Sequence, residues 1–293
     1  MEHRRLAPGT LWAAIERQTA HALRCGALQP IDTVQAVIES GVVRFVVRQV
    51  SSLTRKEQQR RQARKLQTQK GPVANPFLPY EPDLFVADIS DTHLALLNKF
   101  NVIDHHLLIV TRDFQRQEAL LDHADFDALM ACMAEFDGIG FYNGGPEAGA
   151  SQPHKHLQIV PLPLDGHALP IEPFIEAAHT SGVFRAPQLA FAHAAAWLDD
   201  DAAANLHATY LQLMNAIGVQ PFDVAGVAHQ SAPYNLLVTR RWMLAVPRSV
   251  SHVEGVAVNA LGFAGSLFVR DDAQRNVVET LGPMKLLADA TIS

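Results

Sequence analysis

Cysteine is scarce in this chain: among 293 residues only Cys25 and Cys132 occur, far apart and in no metal-type or redox-type spacing. A disulfide framework is therefore not the expected source of stability, and a reducing, cytoplasmic setting is. Long apolar runs are missing as well. No stretch approaches the roughly 18 to 20 uninterrupted apolar residues that a membrane-spanning helix needs. The opening residues, MEHRRLAPGTLWAAIERQ, carry two arginines but no apolar run followed by a small-residue cleavage site, and read as a helix start. An excess of positive charge is absent too: 24 basic residues face 30 acidic ones, a formal net charge of −6. A broad polyanion such as duplex DNA favours a basic total, so nucleic acid is not the expected partner. A small phosphorylated ligand held by a few local cations fits this balance.

What is present is an ordinary globular mixture, 48% hydrophobic and 18% charged, which excludes collagen-like, low-complexity and disordered chains. The length suits one large domain or two modest ones, and no internal repeat recurs at a fixed period. Helical spacing is read at residues 10–25 and again at 30–40, through Ile31, Val34, Val37 and Ile38. Gly41 closes the second, and the β-branched run GVVRFVVRQV reads as a strand. Leu53 to Lys70 holds seven Lys or Arg and reads either as a solvated helix or loop, or as a basic flap near an anionic ligand. No aromatic residue interleaves it, which disfavours a nucleic-acid platform. Four prolines between residues 71 and 89 impose an extended or turning path that ends in a strand from Leu84.

THLALLNKFNV reads as short helix or turn before a strand from His105 to Val110, and residues 125–137 form an amphipathic helix with an Asp cap. IGFYNGG supplies a strand and turn. Beyond it come a helix near 200–217, a hairpin-like pair in YNLLVTRRWMLAVPRS, and a helix–strand–helix tail around LGFAGSLFVR. A boundary near residue 165 divides the chain into residues 1–165, which carry the motif described next, and residues 166–293, packed on the same core.

Residues 151–160 read SQPHKHLQIV. In a strand successive side chains alternate faces, so His154, His156 and Gln158 share one side and Leu157 and Ile159 the other, where a core can receive them. Alternate residues lie roughly 6.5 to 7 Å apart, so one ligand can touch all three. Just upstream, Asn143 to Gln152 (NGGPEAGASQ) is rich in small residues that let backbone N–H groups approach phosphate oxygens. Three explanations fit this constellation. Two histidines could begin a zinc site, but two further ligands are needed and no Cys or Asp/Glu cluster is adjacent. They could simply be hydrogen-bonded within the sheet. Or a neutral imidazole, with an ordinary pKa of about 6.5, could attack phosphorus and divide one displacement into two easier ones.

The run Asn143 through Gln158, with SQPHKHLQ at its heart, closely resembles the diadenosine tetraphosphate phosphorylases, or ATP adenylyltransferases. These belong to a histidine-triad-like superfamily that includes galactose-1-phosphate uridylyltransferase as a more distant relative. The similarity extends to LLNKFNVIDHHLLIVTRDF before the motif and SAPYNLLVTRRWMLAVPRS after it, covering residues 40 to 250 with gaps. It implies an α+β fold: an antiparallel sheet flanked by helices and elaborated at both ends. It implies phosphorolysis of diadenosine tetraphosphate to ATP and ADP, with inorganic phosphate as acceptor. Sulfate as acceptor would give adenylyl sulfate in a related exchange.

The same resemblance makes His156 the nucleophile that carries an adenylyl group. It gives Gln158 the task of donating to a non-bridging phosphate oxygen, an amide that cannot titrate, and has His154 orient His156 or contact phosphate. Ser151 and Gln152, with the amides of Gly149 and Ala150, become a phosphate cradle, and Asn143 a ligand contact. Lys56 (with Arg55 adjacent), Asn98, Lys99, Thr239 and Arg248 become further substrate contacts. A divalent cation such as Mg2+ is expected to accompany the nucleotide, with no dedicated protein metal site. His105 and His106 are expected to build their strand and Trp242 to pack. Monomer and homodimer both remain open. Two other functions stay in view: uridylyl transfer to sugar phosphates, and a non-catalytic dinucleotide sensor.

Overall fold

The computed structural model describes residues 7–41, 43–50, 77–164, 169–198 and 205–292. The first helix, α1 (Leu11–Cys25), buries Leu11, Ala14, Ile15 and Ala22 along one stripe and stops at Gly26, whose φ of 79° is left-handed. Two strands follow, β1 (Thr33–Ser40) and β2 (Val43–Val50), paired antiparallel. The helix expected over 30–40 is therefore a strand. Its apolar spacing was misleading because Val34 and Val37 are exposed, 73% and 53%, and so mark no helical core face. The β-branched content and Gly41 at φ 62° suit a hairpin instead.

Next come β3 (Phe85–Asp88), β4 (His93–Leu97) and β5 (Leu107–Thr111). β4 corrects the helix or turn expected there. All five residues of HLALL are buried, so both faces are covered and the alternation that marks a half-exposed strand is missing. The helix α2 (His123–Met133) begins at a reciprocal capping box between Asp122 and Asp125. It leads to β6 (Gly138–Gly144) and β7 (His156–Pro161).

The second half supplies α3 (Glu172–Ala177), β8 (Val183–Phe184), β9 (Ala194–Trp197) and α4 (Leu206–Ala216). Two hairpin strands, β10 (Pro221–Val224) and β11 (Val227–Gln230), precede β12 (Tyr234–Val238) and β13 (Trp242–Pro247). After the short pair β14 (His252–Val253) and β15 (Val256–Ala257), the chain ends in α5 (Ala260–Phe263), β16 (Ser266–Val269), α6 (Asp272–Leu281) and α7 (Pro283–Asp289).

Nine strands form one antiparallel sheet in the order β3-β4-β5-β7-β6-β12-β13-β9-β8. β6 pairs with β7 on one side and β12 on the other, so the sheet runs without interruption between residues before and after 165. One face packs on α1, α2 and α4 through Leu107, Ile109, Leu157, Ile159 and Leu236. The other face packs, through Ile139, Phe141, Leu237, Trp242 and Leu244, on the small β1-β2-β16 sheet and the C-terminal helices. Trp242 is fully buried there, a packing residue as expected. This second layer does not cover the β4-β5-β7 part, where Leu94, Leu96, Leu108 and Val110 make a separate small apolar patch. Phe77, Leu78, Tyr80 and Phe85 pack on this cluster, and the cleft that holds the site opens beside it, where Leu96 and Leu108 line the wall. Among the described residues no helix is long and apolar enough to cross a membrane.

Candidate active site

Register explains which side chains meet. Val110 lies opposite His156, Leu108 opposite Gln158, and Phe141 opposite Gln158 on the other flank. His156, Gln158 and their cross-strand neighbours thus face the cleft, while Leu157 and Ile159 enter the core, as the alternation predicts. The cleft encloses a cavity of about 740 Å3, lined among others by Asn98, Lys99, Asn143, Gly149, His156 and Gln158. Ala150, Ser151 and Gln152 complete its upper wall.

The His156 ring is held by its own chain. Its Nδ1 lies 2.8 Å from the carbonyl oxygen of His154, so Nδ1–H donates there and the Nε2 lone pair is left free. The backbone at that point is clamped by Gln117, a residue the sequence did not single out. Its side-chain oxygen accepts from His156 N at 3.0 Å, and its amide donates to the carbonyls of Asn143 (2.9 Å) and His156 (3.2 Å). One buried carboxamide therefore ties β7 to β6 beside the imidazole. Phe77 packs edge-on against the ring at 5.2 Å between centroids.

Burial pushes the His156 imidazole down to about 4, outweighing the upward effect of its bond to the His154 carbonyl. At neutral pH it is an unprotonated base. Cys132, which burial pushes up to about 12, is no competing nucleophile. The depressed histidine also predicts an acid response. The unfolded chain takes up this proton near pH 6.5, the folded chain only near 4. The contribution is thus intact above pH 6.5 and is lost progressively as pH falls toward 4, by about 2 to 3 kcal/mol. Denaturant midpoints measured from pH 7 to 4.5 should fall less steeply for His156→Asn than for the unaltered chain. His154 and His193, also lowered by burial, add slopes of the same sign in both proteins.

His154 plays its part through the main chain. Its own Nε2 sits 2.8 Å from the Thr111 hydroxyl, and its ring packs between Phe77 and Phe114, outside the residues that line the cavity. The His154 carbonyl thus holds the His156 ring, while the His154 side chain lies apart from the residues that line the cavity. Gln158 is seated differently: its side-chain oxygen lies 3.0 Å from His106 Nε2. His106, expected only to build its strand, lines the cavity. Period-two alternation puts His106 with Leu108 and Val110 on one face of its strand, and only the pairing with β7 shows that this is the face of His156 and Gln158.

The cradle is a turn between β6 and β7. Gly145 (φ 95°) and Gly149 (φ 91°) bracket the 3-10 turn Pro146–Ala148. A Cβ on Gly149 would meet the Val258 carbonyl at 2.9 Å, so only glycine permits both the backbone angle and the close approach. Beneath it, the Asn143 side-chain oxygen accepts from Asn235 Nδ2 at 2.8 Å and from Ala260 N at 2.9 Å. Asn235 also donates to the Ala148 carbonyl at 2.9 Å.

Arg248 does not reach the cavity. Its guanidinium, fully buried, donates to Asn235 Oδ1 and to the carbonyls of Ala148, Val250, Val258 and Ala290. Those bonds occupy the fork expected to grip phosphate, and Arg248 instead braces the cradle from below. Thr239 is likewise displaced from its expected role. Its hydroxyl serves the β12–β13 turn, accepting from Arg241 N and Trp242 N and donating to the Trp242 carbonyl. Lys56 and the basic run Leu53 to Lys70 lie outside the described residues. Asn98 and Lys99 are on the cavity wall, with Lys99 Nζ 2.6 Å from Glu81. Glu81 is the one carboxylate among the described lining residues.

With this geometry in place, two family models match nearly the whole sequence. The Ap4A phosphorylase N-terminal domain matches residues 1–177, and the ATP adenylyltransferase C-terminal domain matches residues 187–293. The chain belongs to the Ap4A phosphorylase family. The junction between the two family domains falls between residues 177 and 187, and β6–β12 pairing joins them in one sheet.

Curated relatives in this family include, from Saccharomyces cerevisiae, Protein APA1, 28% identical over 213 residues, and diadenosine 5',5'''-P1,P4-tetraphosphate phosphorylase 2, 29% identical over 228 residues. The alignments span 65% of both chains for the first and 67% of both for the second, about two thirds of either relative. The fold is that of crystalline yeast Ap4A phosphorylase Apa2, with a TM-score of 0.80 at 21% identity, covering 98% of this chain and 99% of that one. The same yeast protein in complex with Ap4A matches with an equal TM-score and coverage, again at 21% identity. The α+β architecture with its large antiparallel sheet is thereby confirmed as the family fold.

Proposed function

We propose that this chain catalyses phosphorolysis of diadenosine tetraphosphate to ATP and ADP through an adenylyl-histidine on His156. The observation that carries the reading is the Nδ1–H bond to the His154 carbonyl, which leaves Nε2 unprotonated inside the cavity. In the first step Nε2 attacks the α-phosphorus of one adenosine. A P–N bond forms, the bond from that phosphorus to its bridging oxygen breaks, and ATP leaves. The imidazole becomes cationic, and the carbonyl oxygen at Nδ1 stabilises that charge without removing the proton. In the second step an oxygen of inorganic phosphate attacks the adenylyl phosphorus. The P–N bond breaks, the imidazole regains its lone pair, and ADP leaves.

Gly149 to Gln152 present amides and side chains where the α- and β-phosphates sit, and Gln158 donates to a non-bridging oxygen. Leu96 and Leu108, on the cavity wall, give a purine ring an apolar surface. Mg2+ would ride on the phosphate oxygens, neutralising charge.

The test is positional. Phosphate labelled with 18O, supplied with the dinucleotide and Mg2+, should appear in the β-position of ADP and leave ATP unlabelled. Label in neither product, or turnover of a UDP-sugar instead, overturns the reading. A further expected outcome concerns the cradle. Gly149→Ala should weaken dinucleotide binding about tenfold or more, because the added Cβ displaces Val258 or the loop. Calorimetric titration checks it, and unchanged affinity would remove the loop from the site.

A further inference from the structure

Asn98 and His106 lie side by side at the end of the β4–β5 ladder, where Asn98 N donates to the His106 carbonyl at 2.9 Å. Their side chains touch too: Asn98 Nδ2 is 3.1 Å from His106 Nδ1, and His106 Nε2 is 3.0 Å from Gln158 Oε1. We propose that Asn98 and His106 are positioning residues that fix which end of the Gln158 carboxamide faces the phosphate. The proposal rests on the phosphorolysis reading for its consequence, but its geometry is independent of it.

Asn98 Nδ2 carries only protons, so the ring nitrogen facing it must offer a lone pair. The single proton of a neutral His106 is then on Nε2, where it donates to Gln158 Oε1. With its oxygen engaged on that side, Gln158 turns its NH2 toward the cavity. A phosphate oxygen accepts hydrogen bonds and donates none in its ionised form, so this is the productive end. The reversed chain is the competitor: Asn98 Oδ1 accepting from Nδ1–H, Nε2 accepting from Gln158, and the Gln158 oxygen aimed at the phosphate. That arrangement would repel substrate. The relay selects between two states that a lone glutamine would populate freely, and it does so with groups that are uncharged when His106 is neutral.

Two measurements test it. In protein labelled with 15N-histidine, the His106 resonances, assigned by their loss in His106→Gln, should show a protonated Nε2 and an unprotonated Nδ1. The opposite tautomer overturns the proposal. In single-turnover adenylyl transfer, His106→Leu should slow the step about 10- to 30-fold while dinucleotide affinity stays within about threefold. His106→Gln, whose amide nitrogen can occupy the place of Nε2 and keep donating, should remain within about threefold of the unaltered rate. Equal slowing by Leu and Gln would overturn the relay, because then shape rather than the donor matters. Should His106→Leu fail to fold, as a thermal melt would reveal, the tautomer and the His106→Gln rate decide alone. An unaltered chain that transfers no adenylyl group yet shows protonated Nε2 would remove the activity and retain the relay.

Discussion

His156→Ala is expected to lower turnover by roughly 10⁴-fold or more while leaving dinucleotide affinity within about tenfold. The expectation follows from a division of labour in the cleft. The ring contributes a lone pair that only the reacting phosphorus uses, whereas binding rests on the Gly149–Gln152 turn and the apolar patch beside it. Neither depends on the imidazole, since the cradle is braced from below by Asn143, Asn235 and Arg248. Truncation also removes a side chain packed on Phe77, so His156→Asn is the companion variant. Its amide can still donate to the His154 carbonyl, but it cannot form a productive P–N bond. Chromatographic assay of ATP and ADP, with calorimetry for affinity, checks both halves. Turnover within tenfold of the unaltered chain in either variant would take His156 out of the chemistry.

The second large effect sits on the back of the same strand. Lys155, between the two histidines, points away from the cleft and is 1% exposed. Its ammonium meets Asp125 at 2.5 Å and donates to the Leu120 carbonyl at 2.9 Å, while Asp125 also contacts His93 Nε2 at 3.0 Å. Burial alone would raise the Asp125 carboxyl, yet the His93 bond and the Lys155 charge hold it below the ordinary carboxylate range. Lys155→Met fills the space but strands a buried anion, and should cost about 3 to 5 kcal/mol of folding stability. A double-mutant cycle with Asp125→Asn should show strong coupling, because removing the carboxylate's charge relieves most of that penalty. Denaturant unfolding gives the numbers. A loss under about 1 kcal/mol for Lys155→Met would mean that the pair does not anchor the strand.

The chemistry of this protein was more legible in its sequence than its wiring. Period-two alternation through PHKHLQI put His156 and Gln158 on one face and Leu157 and Ile159 on the other, which needs only backbone geometry. The β12–β13 hairpin and the helix–strand–helix tail were readable for the same local reason, whereas α2, expected over 125–137, runs from His123 to Met133 and takes its cap from Asp122. β1 and β4 were not, because a β-branched run and a doubly buried apolar run both mimic other elements until the partner strands are known. Arg248 and Thr239 show the limit on the site side. A guanidinium near a phosphate cradle looks like a ligand contact, and only tertiary packing reveals that backbone carbonyls use its donors. Gln117 lies in a turn 39 residues before His156 and His106 stands 52 residues before Gln158, and only tertiary packing brings each to its partner.

Intact-mass analysis of the protein mixed with diadenosine tetraphosphate and Mg2+, without phosphate, tests the covalent step most directly. One adenylyl group should be added, located by fragmentation on His156, and should vanish with formation of ADP when phosphate is supplied. A dinucleotide consumed at full rate upon phosphate addition with no adduct ever accumulating in its absence, or an adduct on another residue, would contradict it.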